Sequence, residues 1–302
     1  MEAIIWDVHS SSEELLVEVC RKAREANGNY SDYGRGYVMV KISDDITVKI
    51  GGLVIASEAR TQEFANKNAD PTIVHVPRVH RFFEREGRGS KQGYLFMEYV
   101  QGRTLEEIYL AIRPDIIPRM ARIIEHFGQI QGQIPGPIGG GLAQGHIFGD
   151  DGADIEFPSV PGFNAYLNKR LAVMKKSIDL TGYPLVLCHM DLCRRNIILR
   201  DDDTLSLANW NDAGLYPRFF EIRVLSYLNP WYGPFDVPLE EDATALLRLT
   251  KEEERLMDLL RIVRSVNLRA QLCQPYLLRC GHDLTENIAD RRGSYGGGKG
   301  VS

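Results

Sequence analysis

A change of residue pattern near position 101 most limits the folds that this chain can adopt. Before it, β-branched and aromatic residues gather in short runs between polar turns, and residues 37–41 and 46–50 have the pattern of a hairpin. After it, apolar residues recur at helical spacing, for example over residues 118–130. A strand-rich part followed by a mostly helical part predicts an α+β fold with two lobes and a cleft between them.

The same pattern predicts where the lobes begin and end. Residues 1–100 are expected to form a small N-terminal lobe with a first helix, an antiparallel sheet and one inserted helix. Residues 101–290 are expected to form the larger helical lobe, in which Thr104 and Thr250 each precede a Glu by three positions, the capping-box pattern that begins a helix. The Gly-rich tail at residues 291–302 is expected to be disordered.

Composition and charge exclude several classes of protein. The 302 residues are 44% apolar and 25% charged, which is ordinary for a globular chain. A net charge of −5 argues against nucleic-acid binding through phosphates. The longest apolar runs fall far short of the roughly 20 residues that span a bilayer, and the N-terminus lacks the pattern of a signal peptide. We therefore expect a cytoplasmic protein that acts on a small molecule, without a membrane, nucleic-acid or obligate protein partner.

The cysteines predict neither a disulfide framework nor a zinc site. Their number is odd, they are scattered, and none forms a CxxC pair. Reduced thiols are the simplest interpretation. One of them stands beside the motif described next, but no His is suitably placed in the sequence to activate it as a nucleophile. The five are Cys20, Cys188, Cys193, Cys273 and Cys280.

The segment at residues 188–199 carries the chemistry. His189, Asp191 and Asn196 lie on a predicted loop that leads into a β-like Ile-Ile-Leu run. An Asp and an Asn five positions apart fit phosphoryl transfer, because the carboxylate can orient or deprotonate an attacking hydroxyl while the amide oxygen reaches a magnesium ion. A second loop, at residues 207–214, is predicted to face the same site.

These residues resemble the aminoglycoside phosphotransferase and choline kinase-like family, a branch of the protein-kinase-like fold, and its fungal members in particular. The catalytic loop of that family reads His-x-Asp-x-x-x-x-Asn, and His189, Asp191 and Asn196 match it in register. The resemblance extends over about residues 46–225, with its features in the family's order. It implies ATP and Mg²⁺ as cofactors and a small-molecule hydroxyl as the phosphoryl acceptor.

The resemblance also assigns residues outside the loop. Lys49 resembles the lysine that binds phosphates, and Glu58 resembles its glutamate partner. Glu98 and Tyr99 lie in a segment that resembles the hinge between the lobes, where the nucleotide binds. Lys49 considered alone fits an outward-facing strand residue better, and His189 fits a role in holding the loop through a backbone hydrogen bond better than direct catalysis.

Two arginines follow the aspartate of the motif. Arg195 is the better match to the family's fungal members, and the resemblance assigns it to the catalytic site. The sequence alone leaves two interpretations open for Arg194 and Arg195. They can bind the charge of phosphate or substrate, or form ion pairs with Glu221 or with the acidic turn at residues 201–203.

One departure from the family affects the metal site. The family's magnesium loop reads Ile-Asp-Trp-Glu, and the aligned residues here place Asn209 and Asn211 where the two acids stand. An amide oxygen carries no charge and holds magnesium less well than a carboxylate does. The expected metal ligands are therefore Asn196, Asn209 and Asp212, the last being the nearest remaining acid.

Three functions are compatible with these features. The leading hypothesis is an enzyme that transfers a phosphoryl group from ATP to a small-molecule hydroxyl, with an atypical metal site. The second is a catalytically silent kinase-like binding protein. The third is a kinase fold used in fungal metabolism for a metal-independent transfer reaction, in which Asp191 acts as a general base.

Overall fold

A five-stranded antiparallel sheet makes up the N-terminal part of the molecule, with strands paired in the order β1-β2-β3-β5-β4. The predicted hairpin forms its centre, because Lys49 pairs with Met39 on one side and with Leu95 on the other. The strands are β1 (Ser31–Asp32), β2 (Tyr37–Lys41), β3 (Ile46–Gly51), β4 (Val79–Glu86) and β5 (Lys91–Glu98). The computed structural model describes residues 6–27, 31–32, 36–87, 90–149, 151–227 and 233–280.

One helix covers each face of this sheet. Because successive side chains of a strand point to opposite faces, Val48 packs toward helix α1 (Glu13–Asn27). Its neighbour Lys49 points toward helix α2 (Ala56–Asn68), where it meets Glu58. The charged end of Lys49 is therefore enclosed between a sheet and a helix.

Helices enclose the main hydrophobic core of the second part. Aromatic side chains such as Phe127, Phe163 and Trp210 are fully buried in it. Within the described ranges, none of the helices combines the length and apolar character that crossing a bilayer requires. The helices are α3 (Ile116–Phe127), α4 (Val160–Leu171), α5 (Phe219–Leu225), α6 (Gly233–Leu247) and α7 (Lys251–Cys280).

Two small antiparallel sheets bring the two motif loops together. The chain leaves β8, passes through the loop at residues 189–196, forms the hairpin β9–β10 and returns through the loop at residues 208–213 to β11, which pairs with β8. Both loops therefore run side by side. The strands are β6 (Arg103–Thr104), β7 (Gln131–Gly132), β8 (Leu185–Cys188), β9 (Ile197–Leu199), β10 (Leu205–Leu207) and β11 (Gly214–Pro217), in sheets of order β10-β9-β6 and β11-β8-β7.

The predicted α+β class is confirmed, and both capping boxes form. The Thr250 hydroxyl accepts from the Glu253 backbone N–H, and the Glu253 carboxylate accepts from the backbone N–H of Thr250 at the start of α7. The Thr104 box caps a short 3₁₀ turn instead of a longer helix. The tail at residues 291–302 lies outside the described residues.

We propose that the boundary between the lobes lies near residue 101, as the sequence pattern indicates. Strand β5 ends at Glu98. Only a few residues later, Arg103 of β6 pairs with Leu199 of β9, which belongs to the helical part. The chain therefore crosses between the two parts within residues 99–102.

Candidate active site

A buried glutamate holds the loop at residues 189–196. The backbone N–H groups of His189 and Met190 donate to the carboxylate of Glu221 in α5, at 2.5 and 3.1 Å. Met190 has a φ of 65°, a left-handed conformation that a non-glycine residue keeps only where its surroundings fix it. Burial raises the pKa of Glu221 to about 7. Glu221 thus determines the path of the loop just before Asp191.

His189 links the two loops through both nitrogens of its ring. Its Nε2 lies 3.0 Å from the carbonyl oxygen of Ala208, and its Nδ1 lies 3.3 Å from the backbone nitrogen of Asp191. The carbonyl can only accept and the backbone N–H can only donate, so the proton of the ring is on Nε2. Burial lowers the pKa of His189 to about 4. The neutral ring packs edge-on against Trp210, which is a core residue.

Asp191 is held by side-chain donors from both loops. Its carboxylate oxygen Oδ2 accepts from Asn196 Nδ2 at 2.8 Å, from Arg195 at 3.2 Å and from Asn209 Nδ2 at 3.3 Å. The imidazole of His146 lies 4.0 Å from the other oxygen, Oδ1. Asp191 is therefore fixed in orientation by three side-chain donors.

Lys49 is enclosed by three partners. Its Nζ donates to Glu58 Oε1 at 2.6 Å and to Asn209 Oδ1 at 2.9 Å, and it lies 4.1 Å from the centre of the Tyr37 ring. Only 2% of Lys49 and 1% of Glu58 is exposed. An ammonium group has three N–H donors, and these partners engage the whole group. The predicted lysine–glutamate contact is present in the structure.

Asn209 bridges Lys49 and Asp191. An ammonium group can only donate and a carboxylate can only accept, so the amide must direct its oxygen to Lys49 and its nitrogen to Asp191. Asn209 has a φ of 64°, a conformation that Asn and Asp adopt more readily than most residues. The loop conformation and both hydrogen bonds therefore suit this side chain.

Beside Asp191 lies a cleft of about 550 Å³. Asp212 lines it together with Asp191, and burial and then the charge of Asp191 raise the pKa of Asp212 to about 7. Gly145, with a φ of 98°, packs so closely that a Cβ atom would lie 2.9 Å from Asp212 Oδ2. The other lining residues include Leu53, Ile55, Gln144, His146, Arg195 and Asn211.

One of the three predicted metal ligands, Asn209, has its oxygen bound to another group in this arrangement. Magnesium prefers oxygen ligands, and the Asn209 oxygen accepts from the ammonium of Lys49, whereas the Asn196 amide uses its nitrogen and not its oxygen in its bond to Asp191. Asp212 lines the cleft, where one of its oxygens accepts from Asn211 at 3.0 Å. Among the described residues, no group of three or more His, Cys, Asp or Glu side chains is arranged to hold a metal ion. The roles of Asn196, Asn209 and Asp212 as metal ligands stay predictions.

The two predicted hinge residues do not line the cleft beside Asp191. The Glu98 carboxylate lies 3.1 Å from the ring of His75 and accepts from the backbone N–H of Arg78 at 3.1 Å. The backbone N–H of Tyr99 donates to the carbonyl of Asp45 at 2.8 Å. A role in nucleotide binding stays a prediction for both residues.

The two arginines separate in their roles. Arg195 contacts Asp191, whereas Arg194 donates to the backbone carbonyls of Leu105 and Ile108 and so ties the loop to the segment after β6. Glu221 and residues 201–203, the ion-pair partners that the sequence left open, contact other groups in the structure. Glu221 instead binds backbone N–H groups, and the acidic turn pairs with other arginines, namely Arg113, Arg119 and Arg200.

Two residues of the site had no assigned role in the sequence interpretation, and a third, Glu221, had only a possible ion pair with an arginine. Glu221 is the one acid of helix α5, whose other residues except Arg223 are apolar, and a buried acid among apolar residues is the signal that could have marked it. His146 lies in the Gly-rich loop before α4, which the sequence predicts only as a loop. Tyr37 begins a β-strand and looks like any aromatic strand residue.

A buried lysine–glutamate pair under a small sheet, next to an aspartate loop from a helical part, is the arrangement of a kinase-like phosphotransferase fold. The sequence profile of the phosphotransferase enzyme family (APH) matches residues 54–260, more than half of the chain. The chain belongs to this family. No curated protein matches it.

Solved structures resemble this fold at low sequence identity. A mutant of aminoglycoside 2'-phosphotransferase-IIIa in complex with GDP is 9% identical, with a TM-score of 0.52, and the match covers 89% of this chain and 93% of that one. A choline/ethanolamine kinase family protein from Mesorhizobium loti is 16% identical, with a TM-score of 0.46 and coverage of 87% and 86%. At these identities, the first likeness supports the kinase-like fold and nothing finer.

Proposed function

We propose that the protein transfers the terminal phosphoryl group of a nucleoside triphosphate such as ATP to a hydroxyl group of a small molecule. The observation that carries the proposal is the position of Asp191. It is fixed by donors from both loops and borders a cleft of about 550 Å³. Membership of a phosphotransferase family supports the reaction type.

In this reaction the hydroxyl oxygen attacks the terminal phosphorus, and the bond from that phosphorus to the bridging oxygen breaks. Asp191 accepts the hydroxyl proton, so the products are a phosphate ester and the nucleoside diphosphate. Arg195 lines the same cleft and supplies positive charge beside the transferred group. No step passes through a metal ion held at Asn209.

The remaining residues act through Asp191 or on the nucleotide. His189 and Glu221 are positioning residues, since their hydrogen bonds fix the backbone on which Asp191 stands. Lys49, oriented by Glu58, is the cation assigned to the phosphates of the nucleotide. Glu98, the last residue of β5, and Tyr99 after it are assigned to the nucleotide base because they lie at the crossing between the two parts.

Turnover with a panel of hydroxyl-bearing small molecules tests the proposal. Release of nucleoside diphosphate and phosphorus NMR of the products would identify the acceptor. We expect Asp191→Asn to lower kcat by about 10²- to 10⁴-fold, the usual contribution of a general base. Asp201→Asn is a matched control, because Asp201 lies on an exposed turn only ten positions away and should leave kcat unchanged. Equal loss in both variants would contradict the role of Asp191.

A second candidate is favoured by one observation, the neutral Asn209 between Lys49 and Asp191. A transfer reaction without a metal ion would need only the general base and the cleft. Turnover that persists with EDTA and disappears in Asp191→Ala would support this candidate. A folded wild type whose melting temperature does not respond to any nucleotide would instead favour a catalytically silent binding protein.

A further inference from the structure

The hydrogen bonds around Asn209 form a continuous chain that connects four charged side chains. Glu58 accepts from Lys49, Lys49 donates to Asn209, Asn209 donates to Asp191, and Asp191 also accepts from Arg195. This chain contains two cations, two anions and one neutral amide at its centre. The directly bonded groups are therefore balanced in charge without any added ion.

A carboxylate at position 209 would disturb this balance. One of its oxygens would keep the contact with Lys49, but the other would face Asp191 Oδ2, which now lies 3.3 Å from the Asn209 nitrogen. Two carboxylates that close repel strongly in a buried site. A divalent cation between them would remove the repulsion, because it provides the positive charge that the amide now makes unnecessary.

We infer that Asn209 is a positioning residue that takes the place of a cation. Its amide joins Lys49 to Asp191, so that these hydrogen bonds orient Asp191 as the base without a metal ion at position 209. The inference rests on the proposed function only in naming Asp191 as the base. The response of the apo protein to metal is independent of that function.

Thermal unfolding in EDTA and in magnesium chloride tests the inference on three full-length proteins. We expect wild type to melt at the same temperature in both solutions. Asn209→Asp keeps the size of the side chain and the backbone conformation but adds the second charge. We expect it to melt about 5 °C lower than wild type in EDTA, a typical size for a modest loss of stability, and to recover in magnesium chloride.

Asn209→Gly is the matched control, because glycine accepts a positive φ and removes the bridge without adding charge. It should melt lower than wild type and show no response to magnesium. Manganese binding to wild type, followed by electron paramagnetic resonance, tests the inference without relying on the folding of any variant. We expect no binding.

Two results would overturn the inference. One is stabilisation of wild type by magnesium, or manganese binding to it, as strong as in Asn209→Asp. The other is a folded Asn209→Asp protein that does not respond to magnesium. ATP binding by wild type in EDTA separates this inference from the proposed function: a wild type indifferent both to metal and to ATP supports the amide bridge and counts against phosphoryl transfer.

Discussion

Two ends of the same hydrogen-bonded chain differ in how they meet their surroundings. We call Lys49, Glu58 and Asn209 the lysine end. We call Arg195, at the other end, the cleft face, together with His146 and Asp212, which line the same cleft. At the lysine end every charge is paired inside the protein, and Lys49 is 2% exposed. On the cleft face the three charged or ionisable side chains line about 550 Å³ of open volume around Asp191.

This difference determines which end can contact a substrate without movement of side chains. A molecule that enters the cleft reaches Asp191 and Arg195 directly. Phosphates reach Lys49 only after Tyr37 or Asn209 gives way, because these two and Glu58 surround the ammonium group. In this conformation the lysine end is thus closed to a ligand, and the cleft face is open to one.

The largest effect is expected from breaking the lysine end. Lys49→Met leaves Glu58 buried without its cation, and removal of one partner of a buried pair costs about 3–5 kcal/mol. Arg195→Met on the cleft face should cost less, because Asp191 keeps the amide donors of Asn196 and Asn209 and borders the open cleft. Urea unfolding measures both free energies.

A double variant makes this test sharper. Lys49→Met combined with Glu58→Gln removes the unpaired charge and should recover part of the lost stability. Equal costs for Lys49→Met and Arg195→Met would show that the two ends do not differ, and would contradict the comparison.

The next largest effect is on the pH dependence of stability, through the buried ring of His189. Burial lowers the pKa of His189 to about 4 from a usual 6.5, so the unfolded chain binds more protons between these values. Its contribution to stability is complete above about pH 6.5 and is lost as the pH falls toward 4, by an amount on the order of 2–3 kcal/mol. His189→Asn should reduce the slope of unfolding free energy against pH in this range.

Other buried groups act in the opposite direction, so the wild-type slope alone does not isolate His189. The raised pKa of Glu221, about 7, makes its contribution largest below pH 4.5 and diminishes it as the pH rises through 7. The difference between wild type and His189→Asn is therefore the quantity to measure. Identical slopes in the two proteins would contradict the assignment.

The sequence was sufficient for the parts of the molecule that depend on local patterns. The hairpin at residues 37–50, the helix after Thr250 and the contact between Lys49 and Glu58 all follow from periodicity, capping residues or the resemblance to a family. These features need only neighbouring residues, or a pattern that many related chains share.

The parts that the sequence could not predict are contacts between distant segments. Asn209 was expected to direct its oxygen to a metal ion, but Lys49, 160 positions away, occupies that oxygen. For Glu221 the sequence left open an ion pair with Arg194 or Arg195, but its carboxylate accepts from the backbone N–H groups of His189 and Met190. A polar side chain often has several possible partners. Tertiary packing decides between them, and no local sequence pattern encodes that packing.

A smaller effect is expected at Glu221, which supports Asp191 from behind the cleft. Glu221→Gln keeps the shape of the side chain but replaces one of its two acceptor oxygens with an NH₂ donor that faces a buried backbone N–H group, and a buried donor left without a partner costs about 1–3 kcal/mol. We expect a loss of about 2 kcal/mol in urea unfolding and a lower kcat with little change in KM. Glu240→Gln, on the partly buried helix α6, is the control and should leave kcat unchanged.

The smallest effect on stability, and the one most specific to the comparison, is expected at Tyr37. Tyr37→Leu removes the aromatic face over Lys49 and should cost about 1 kcal/mol, the size of a cation–π contact that is partly shielded from water. The same change opens one side of the ammonium group, so we expect it to bind ATP several-fold more tightly in isothermal titration calorimetry. Tyr37→Phe keeps the ring and should match wild type in both measurements. If Tyr37→Leu and Tyr37→Phe bind ATP equally, the ring does not cover Lys49 against phosphates, and the lysine end is as accessible to a ligand as the cleft face.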